Sequence, residues 1–358
     1  MPKPLRDLVS TKAIGAYWYD THSNSLPYLG RALFPQVKKN GLTMKYFKGY
    51  KGLPVLLKPS ALDADVTFRQ RIGVESVETD MPFFREGHFL SEQEEYRYNE
   101  IRNAGDAYVN EILTRVYDDF AGLIDSADVN PEIMIWQLLA PIDGTPKIKI
   151  ASNELAYDYN FDADGTYKAT HFTELTGADM WSDPTADVIG DIQTILNNAR
   201  EKYGIMLTRM VMTTKTLNFL VKNEGIKNIV LAQNVTANIY MTVKLVKALI
   251  KEMFDLDIIT YDKLYKNGEN KDAKYYPEGM VTFLPSGTIG NTCYGTTPEE
   301  LNIGVTGSDI SIVNVGVALN KVTKPFAPFQ TTISASEVVM PSFERMEEVF
   351  IAKVAATE

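Results

Sequence analysis

The residues of this sequence that could bind a metal ion lie close together between Asn160 and His171. Asn160, Asp162, Asp164 and Gly165 match the first six positions of a calcium-binding loop. Position twelve of such a loop should be a glutamate that binds calcium through both oxygens, and here it is His171. The flanking residues also read as strands rather than helices. The pattern therefore favours a solvated Asp-Gly turn, and we expect no metal site.

Histidine and cysteine, the other common ligands and nucleophiles, are scarce. His22, His88 and His171 lie far apart, and none has a partner three or four residues away on a predicted helix, as a zinc site would need. Cys293 is the only cysteine and lies among apolar and small residues, which indicates a buried, inert thiol. We expect the three histidines to be packing or surface residues.

Sequence motifs for catalysis are also missing. The chain has no G-x-S-x-G nucleophile elbow, no G-x-x-x-x-G-K-[ST] loop and no G-x-G-x-x-G after a strand. Gly287 and Gly290, in LPSGTIGNTCYG, indicate turns rather than a phosphate-binding loop. Catalytic groups can converge from distant segments, so an enzyme remains an alternative. The sequence nevertheless favours a structural protein with no catalytic residue and no cofactor.

The composition narrows the class of protein further. A chain of 358 residues with 45% hydrophobic content can bury one or two cores. A net charge of -10 argues against binding nucleic acid through clustered basic residues. A single cysteine excludes an internal disulfide framework and fits a reducing compartment. Without an apolar signal region or a run of about 18 apolar residues, we expect neither export by a standard signal nor a membrane span.

A long helix is predicted to organise the chain, from Ser91 to about Ser126. Ser91 and Glu94 form a capping box, in which each side chain accepts a hydrogen bond from the other residue's backbone N–H. Apolar residues then recur at intervals of three, four and seven, which places them on one stripe. The predicted length of about 50 Å exceeds the ~30 Å diameter of a small domain. After it, Asn130-Pro131 predicts the start of a second helix.

Two segments before this helix lack a core of their own. Residues 1–50 are rich in aromatic residues but are interrupted by proline and glycine, which predicts an extended arm that packs on something larger, or else a loop-rich edge of the first domain. Residues 52–90 alternate apolar with polar positions on both sides of Gly73, which predicts a two-stranded ribbon. Isolated hairpins are marginal in water. The ribbon is therefore expected to lean on another molecule, the alternative being an ordinary hairpin at a sheet edge.

The second half of the chain has mixed periodicity. Residues 147–172 predict a strand pair whose turn is Asp164-Gly165. Asp183 and Pro184 predict the start of a helix that ends at Gly204. Residues 183–315 alternate helices with strands and suggest a separate α/β or α+β lobe, and the last forty residues return to a β pattern.

Two C-terminal blocks carry a family resemblance. ASEVVMPSFERMEEVFIAKVA (335–355) and GMVTFLPSGTIGNTCYGTTPEE (279–300) resemble the lambda-like major capsid proteins of tailed bacteriophages, the capsid protein E family. In chain order, LGRALFP (29–35) resembles the N-terminal arm of that family, residues 63–87 its extended loop and residues 91–126 its spine helix. The resemblance covers nearly the whole chain.

The resemblance implies an α+β chain with the Hong Kong 97-type major capsid fold. Its parts in this sequence would be an N-terminal arm (1–50), an extended β-ribbon loop (51–90), a peripheral domain with the spine helix (91–180), an axial domain (181–310) and a return to the peripheral domain (311–358). The implied contacts between subunits are Leu33, Phe34, Val66, Phe68, Arg69, Arg71, Phe84, Arg85, Glu86, Phe343, Glu344 and Arg345.

The implied function is self-assembly, as hexamers and pentamers, into the icosahedral shell around double-stranded DNA. The implied partners are a scaffolding protein, expected to be separate because the spine helix begins as early as Ser91, and portal and head-completion proteins. The DNA would be packaged without sequence-specific binding. The protein would be assembled in the host cytoplasm and located in the virion, with no membrane involved. Two alternatives remain: a soluble α/β enzyme or ligand-binding protein with its site in the 183–315 lobe, and an encapsulin-like compartment shell.

Overall fold

A computed structural model describes residues 4–21, 27–48, 75–103, 108–151, 156–233, 240–305 and 309–356. These residues contain eleven α-helices: α1 (Leu5–Leu8), α2 (Thr11–Thr21), α3 (Leu29–Leu33), α4 (Glu92–Asn103), α5 (Val109–Leu139), α6 (Thr166–His171), α7 (Val188–Tyr203), α8 (Thr214–Lys222), α9 (Glu224–Gln233), α10 (Val243–Phe254) and α11 (Pro298–Leu301). Within these ranges, no helix combines the length and the apolar character that crossing a bilayer requires.

The strands of the same residues are β1 (Gln36–Lys38), β2 (Thr43–Lys48), β3 (Glu75–Asp80), β4 (Phe83–Leu90), β5 (Lys147–Ala151), β6 (Ala156–Asn160), β7 (Phe172–Glu174), β8 (Leu207–Met212), β9 (Asp257–Thr260), β10 (Leu264–Lys266), β11 (Asp272–Lys274), β12 (Met280–Pro285), β13 (Asn291–Tyr294), β14 (Asp309–Val313), β15 (Val317–Thr323), β16 (Thr331–Ser342) and β17 (Phe350–Lys353). The fold is therefore mixed α+β, as the sequence predicted.

The chain divides into two compact units. The first comprises Met1–Lys45, Glu78–Ile133 and Asn291–Ser342, and the second comprises Tyr46–Val77, Met134–Gly290 and Phe343–Glu358. These ranges come from contacts within one subunit. The predicted arm, loop, peripheral and axial domains are defined by their places in an assembly, and they remain predictions.

The first unit is built on a six-stranded sheet centred on β16. This strand pairs with β15 along its first half, with β4 along its first two-thirds and with β13 at its end, and β1 and β14 extend the sheet. One face is covered by apolar residues of α1, α2 and α5, among them Ile14, Trp18 and Ile124, which pack with Leu319 and Ile333 of the sheet. Because side chains of a strand alternate between faces, the residues in between lie on the opposite face.

The described residues of the predicted arm form three helices, α1, α2 and α3, followed by the strands β1 and β2. Leu5, Ile14 and Trp18 are buried in the core of the first unit, and Leu33 and Phe34 are also buried. The aromatic and apolar residues that suggested an arm therefore fill a core within their own chain. A reach to a neighbouring copy remains a prediction.

The predicted long helix begins as its capping box indicated. The Ser91 N–H donates to Glu94 Oε2 at 2.7 Å, and the Glu94 N–H donates to Ser91 Oγ at 3.3 Å. The helical segment is then described in two parts, α4 and α5, with residues 104–107 outside the described residues. The prediction of a new helix at Asn130-Pro131 was wrong, because Pro131 lies inside α5, which is 31 residues long.

The ribbon predicted over residues 52–90 is described only from Glu75 onward. There β3 pairs with β2, and β4 pairs with β16. The remainder of the ribbon, which includes Val66 and Phe68, lies outside the described residues.

The second unit is built on a five-stranded sheet with the order β7-β17-β12-β8-β9. Helices α7, α8, α9 and α10 supply buried residues to its core. The predicted end of α7 is confirmed, because Gly204 adopts a φ of 67° there. The predicted start was wrong by several residues: Asp187, not Asp183, caps the helix, and its carboxylate accepts from the Gly190 N–H at 3.0 Å.

A second local correction concerns the turn predicted at Asp164-Gly165. The strand pair itself is confirmed as β5 and β6. However, β5 ends at Ala151 and β6 begins at Ala156, so the turn between them does not contain Asp164 and Gly165. Asp164 and Gly165 instead precede α6. The dipeptide therefore starts a helix rather than closing a hairpin.

Candidate assembly surface and buried carboxylates

Three predicted contact residues lie on β4. In the antiparallel pair with β16, Phe84 is opposite Glu337, Arg85 opposite Ser336 and Glu86 opposite Ala335. Arg85 and Glu86 are exposed and Phe84 is half-buried. Charged residues along a strand at the edge of a sheet discourage unwanted pairing with strands of other chains, and they also remain available to a specific partner.

Arg85 already has a partner in its own chain. Its guanidinium lies 2.5 Å from Glu299 Oε1 and 4.8 Å from the centre of the Phe83 ring. Glu299 is buried, with a side-chain exposure of only 5%, whereas Arg85 is 47% exposed. Glu299 occupies the first turn of α11, whose N-terminus is capped by Thr297. The ion pair therefore ties the exposed strand to this short helix.

Three other predicted contacts are apolar and buried. Leu33, Phe34 and Phe343 are each at most 1% exposed. The Phe34 carbonyl accepts from Thr292 Oγ1 at 3.0 Å, which holds the end of α3 beside β13. In this conformation, these three side chains expose almost no surface to a neighbouring copy of the chain. Their role between subunits stays a prediction.

The two remaining described contacts follow β16. Arg345 Nη1 donates to the carbonyls of Ser286 and Thr288 at 2.9 and 2.7 Å, and Nη2 pairs with Glu348 at 2.5 Å. Arg345 therefore organises a turn of its own chain, and its neighbour Glu344 is half-buried. The other four predicted contacts, Val66, Phe68, Arg69 and Arg71, lie outside the described residues.

One exposed apolar surface of the first unit was not predicted. We call it the phenylalanine loop, defined as residues 322–329, which comprise the last two residues of β15 and the connection towards β16 and are all exposed. Phe326 is 80% exposed and Phe329 is 47% exposed. Phe89 of β4, itself 58% exposed, extends this surface, because Phe89, Thr332 and Val322 lie opposite one another across three strands. The available sequence signal was KPFAPFQ, a turn between strands with phenylalanine where polar residues are usual.

A cluster of buried carboxylates lies elsewhere in the first unit. Glu337 of β16 is 1% exposed and accepts from Asn130 Nδ2 at 3.0 Å. Asp128 is 3% exposed and pairs with Arg31. Glu132 is 2% exposed and accepts from the Gly30 N–H at 3.0 Å. Burial raises the pKa of Glu337 to about 8, and the charge of Asp128 acts in the same direction.

The calcium-like loop does not gather its carboxylates around a central point. Asp162 accepts from the N–H groups of Tyr167 and Lys168 at 2.8 and 2.9 Å, and Asp164 accepts from Thr166. These carboxylates are used to hold the first turn of α6. Among the described residues, no three histidine, cysteine or acidic side chains are grouped so that they could hold a metal ion.

His171 is a packing residue, as predicted. It is 2% exposed, it stacks on Tyr167 with ring centres 4.9 Å apart, and its Nε2 is 2.9 Å from the Glu347 carbonyl. Burial lowers its pKa to about 4. Cys293 is buried in the sheet, as predicted. Neither residue is placed to do acid–base or nucleophilic chemistry on a bound molecule.

Several solved structures with a similar fold come from phages or prophages. The chain is similar to a putative capsid protein of a prophage of E. coli CFT073 (TM-score 0.58, 12% identity, 97% of this chain and 99% of that chain covered). It is also similar to a phage-related protein from Bordetella bronchiseptica RB50 (0.52, 12%, 97% and 97%) and to the capsid of cyanophage A-1(L) (0.50, 11%, 93% and 94%). At these identities the similarity concerns the fold, which is the predicted Hong Kong 97-type capsid fold.

Family membership rests on the sequence itself. No curated protein matches the chain significantly. The sequence profile described as phage major capsid protein E matches residues 10–324, which is most of the chain. Neither an enzyme nor a cellular compartment shell is favoured by this match. The chain therefore belongs to the phage major capsid protein E family.

Proposed function

We propose that this chain is the repeating subunit of the icosahedral shell that encloses the double-stranded DNA of a tailed bacteriophage, and that it forms the hexamers and pentamers of that shell. The phenylalanine loop is the observation that carries the proposal. Large exposed apolar patches are rare on monomers and mark surfaces that bind other proteins. A second copy of the chain is the partner that a shell subunit meets most often.

The apolar side chains of this loop are large enough to matter for association. Full burial of a phenylalanine side chain is worth about 1.5–3 kcal/mol. With Phe326 80% exposed and Phe329 47% exposed, covering both would contribute about 2–4 kcal/mol per copy. That is a modest contribution for one contact, but each subunit of a closed shell repeats it.

The other partners follow from the same proposal. Scaffolding protein, portal and head-completion proteins would contact the shell during assembly in the host cytoplasm, and the product would be the virion. The net charge of -10 suits a wall that surrounds packed DNA without gripping it. The role is structural rather than enzymatic, in keeping with the absence of catalytic motifs from the sequence.

The proposal is tested by changing the loop and then measuring assembly and folding separately. The double variant Phe326→Ser, Phe329→Ser should keep the circular dichroism spectrum and the unfolding midpoint of the parent, because both side chains are exposed. It should form few or no closed shells by sedimentation and electron microscopy. The matched control Phe326→Leu keeps an apolar side chain and should assemble. If the double serine variant closes shells like the parent, this loop is not a contact.

A further inference from the structure

Glu337 is a buried acid in the middle of the first unit. It lies on β16 opposite Phe84 and is only 1% exposed. One of its oxygens, Oε1, accepts from Asn130 Nδ2 on α5 at 3.0 Å. The other oxygen, Oε2, is buried and has no hydrogen-bond partner among the described residues. An ionised carboxylate in this position would be costly, because a buried charge needs a cation or several donors.

The groups around Glu337 do not supply a cation for it. Asp128, on α5, is the charged neighbour that acts on it most directly, and the Arg31 guanidinium from α3 is paired with Asp128. Tyr294 from β13 contributes a buried hydroxyl, to which Gln36 donates at 3.0 Å. On β4, the residue opposite Glu337 is apolar, and the neighbouring Arg85 points to the other face and pairs with Glu299. Glu132 accepts from a backbone N–H on α3.

The helix is locally weakened where it meets Glu337. Asn130 directly precedes Pro131, which lies inside α5. Proline has no N–H, so the helix lacks one backbone hydrogen bond at this turn. The hydrogen bond from Asn130 to Glu337 therefore joins β16 to the turn of α5 that lacks a backbone hydrogen bond.

We propose that Glu337 is a proton-operated latch between α5 and β16. While the carboxyl group keeps its proton, it is neutral and tolerates burial beside Asp128. When it gives the proton to solvent, a buried negative charge appears next to that of Asp128. The contact between α5 and β16, which we call the seam, then loosens. The latch belongs to the single subunit, so it holds or fails independently of shell formation.

The raised pKa of Glu337, about 8, sets the pH range. Since the ordinary value is 4.5, the proton stabilises the folded state fully below that value, and the contribution is lost as the pH rises towards 8. Above about pH 8 the folded protein itself ionises. Opening of the seam should therefore increase about tenfold for each pH unit between about pH 5 and 7, and it should level off above about pH 8, where the open and closed states are both ionised.

Hydrogen exchange on the unassembled full chain tests this. After correction for intrinsic exchange, amides of residues 127–134 and 333–341 should open about tenfold more at pH 7 than at pH 6 in the parent, but only about twofold more at pH 9 than at pH 8. The variant Glu337→Gln, which mimics the protonated acid, should show no such increase. The control Asp119→Asn changes an exposed carboxylate on the same helix, and it should behave like the parent. An equal increase in Glu337→Gln would overturn the proposal.

A second measurement does not require the variant to fold. Infrared spectra of the parent should show the carbonyl band of a protonated carboxyl group at pH 7, when surface carboxylates are ionised, and this band should disappear near pH 9. Absence of the band at pH 7 would show that Glu337 is ionised in the folded protein, which would refute the latch.

Discussion

Replacement of Arg85 by alanine separates two roles that this residue could have. In the subunit, its guanidinium pairs with Glu299, a buried acid whose Oε2 has no hydrogen-bond partner among the described residues. Removing one member of a fully buried ion pair costs about 3–5 kcal/mol, because the other charge is left uncompensated. Arg85 is 47% exposed, so water screens the pair and can replace part of it. We therefore expect Arg85→Ala to lower the free energy of unfolding by about 2 kcal/mol.

Urea denaturation of the unassembled chain measures this value, and a double-mutant cycle isolates its source. Glu299→Gln removes the buried charge, so Arg85→Ala should cost much less in that background, with a coupling energy of about 1–2 kcal/mol. If Arg85 acted only between subunits, Arg85→Ala would leave the unfolding of the monomer unchanged and would impair assembly alone. An unchanged midpoint would therefore refute the intrachain role derived from the structure.

Two further changes test the interior and its pH dependence. Gly30→Ala should destabilise the subunit by about 2 kcal/mol, because the added Cβ would collide with the Glu132 carboxylate, whereas Gly122→Ala, with open space around its Cβ, should be neutral or stabilising; thermal unfolding of both variants checks this. The lowered pKa of His171 means that its contribution to stability is present above pH 6.5 and is lost as the pH falls through 4. His171→Phe should therefore lose less stability than the parent between pH 6.5 and 4 in urea titrations; an equal loss would contradict this.

Local signals in the sequence predicted elements better than their ends. The capping box at Ser91 and the left-handed Gly204 were readable because a single turn of backbone determines each of them. The start of α7 could not be predicted in this way, because Asp183 and Asp187 are equally good candidates for the N-terminal cap. Tertiary contacts decide between them: the Pro184 carbonyl accepts from the Glu224 N–H at 2.8 Å and from Asn223 at 3.1 Å, and this keeps Pro184 in the turn before the helix.

Burial explains the error at Pro131 and the packing of the N-terminal segment within its own chain. Proline usually ends a helix, but residues on both sides of Pro131, such as Ala127 and Leu138, are buried. Their packing holds α5 together in spite of the missing hydrogen bond. The aromatic residues of the N-terminal segment were predicted to pack on something larger. The sequence does not show that α5 and a distant sheet of the same chain bury them.

The candidate surfaces were the least predictable part. Alternation along a strand shows which residues share a face, but not what covers that face. Arg85 was singled out as a contact, and its intrachain partner lies 214 positions later in the sequence. The buried carboxylates around Glu337 likewise come from two distant segments, α5 and β16, so no local pattern could reveal them.

Electron microscopy of the purified full chain, produced together with a scaffolding protein, tests the central claim most directly. If the chain is the subunit of an icosahedral head, negatively stained samples should contain closed, uniform shells, and sedimentation should show the matching large species. A folded chain that remains monomeric over a range of scaffold and salt conditions would contradict the account.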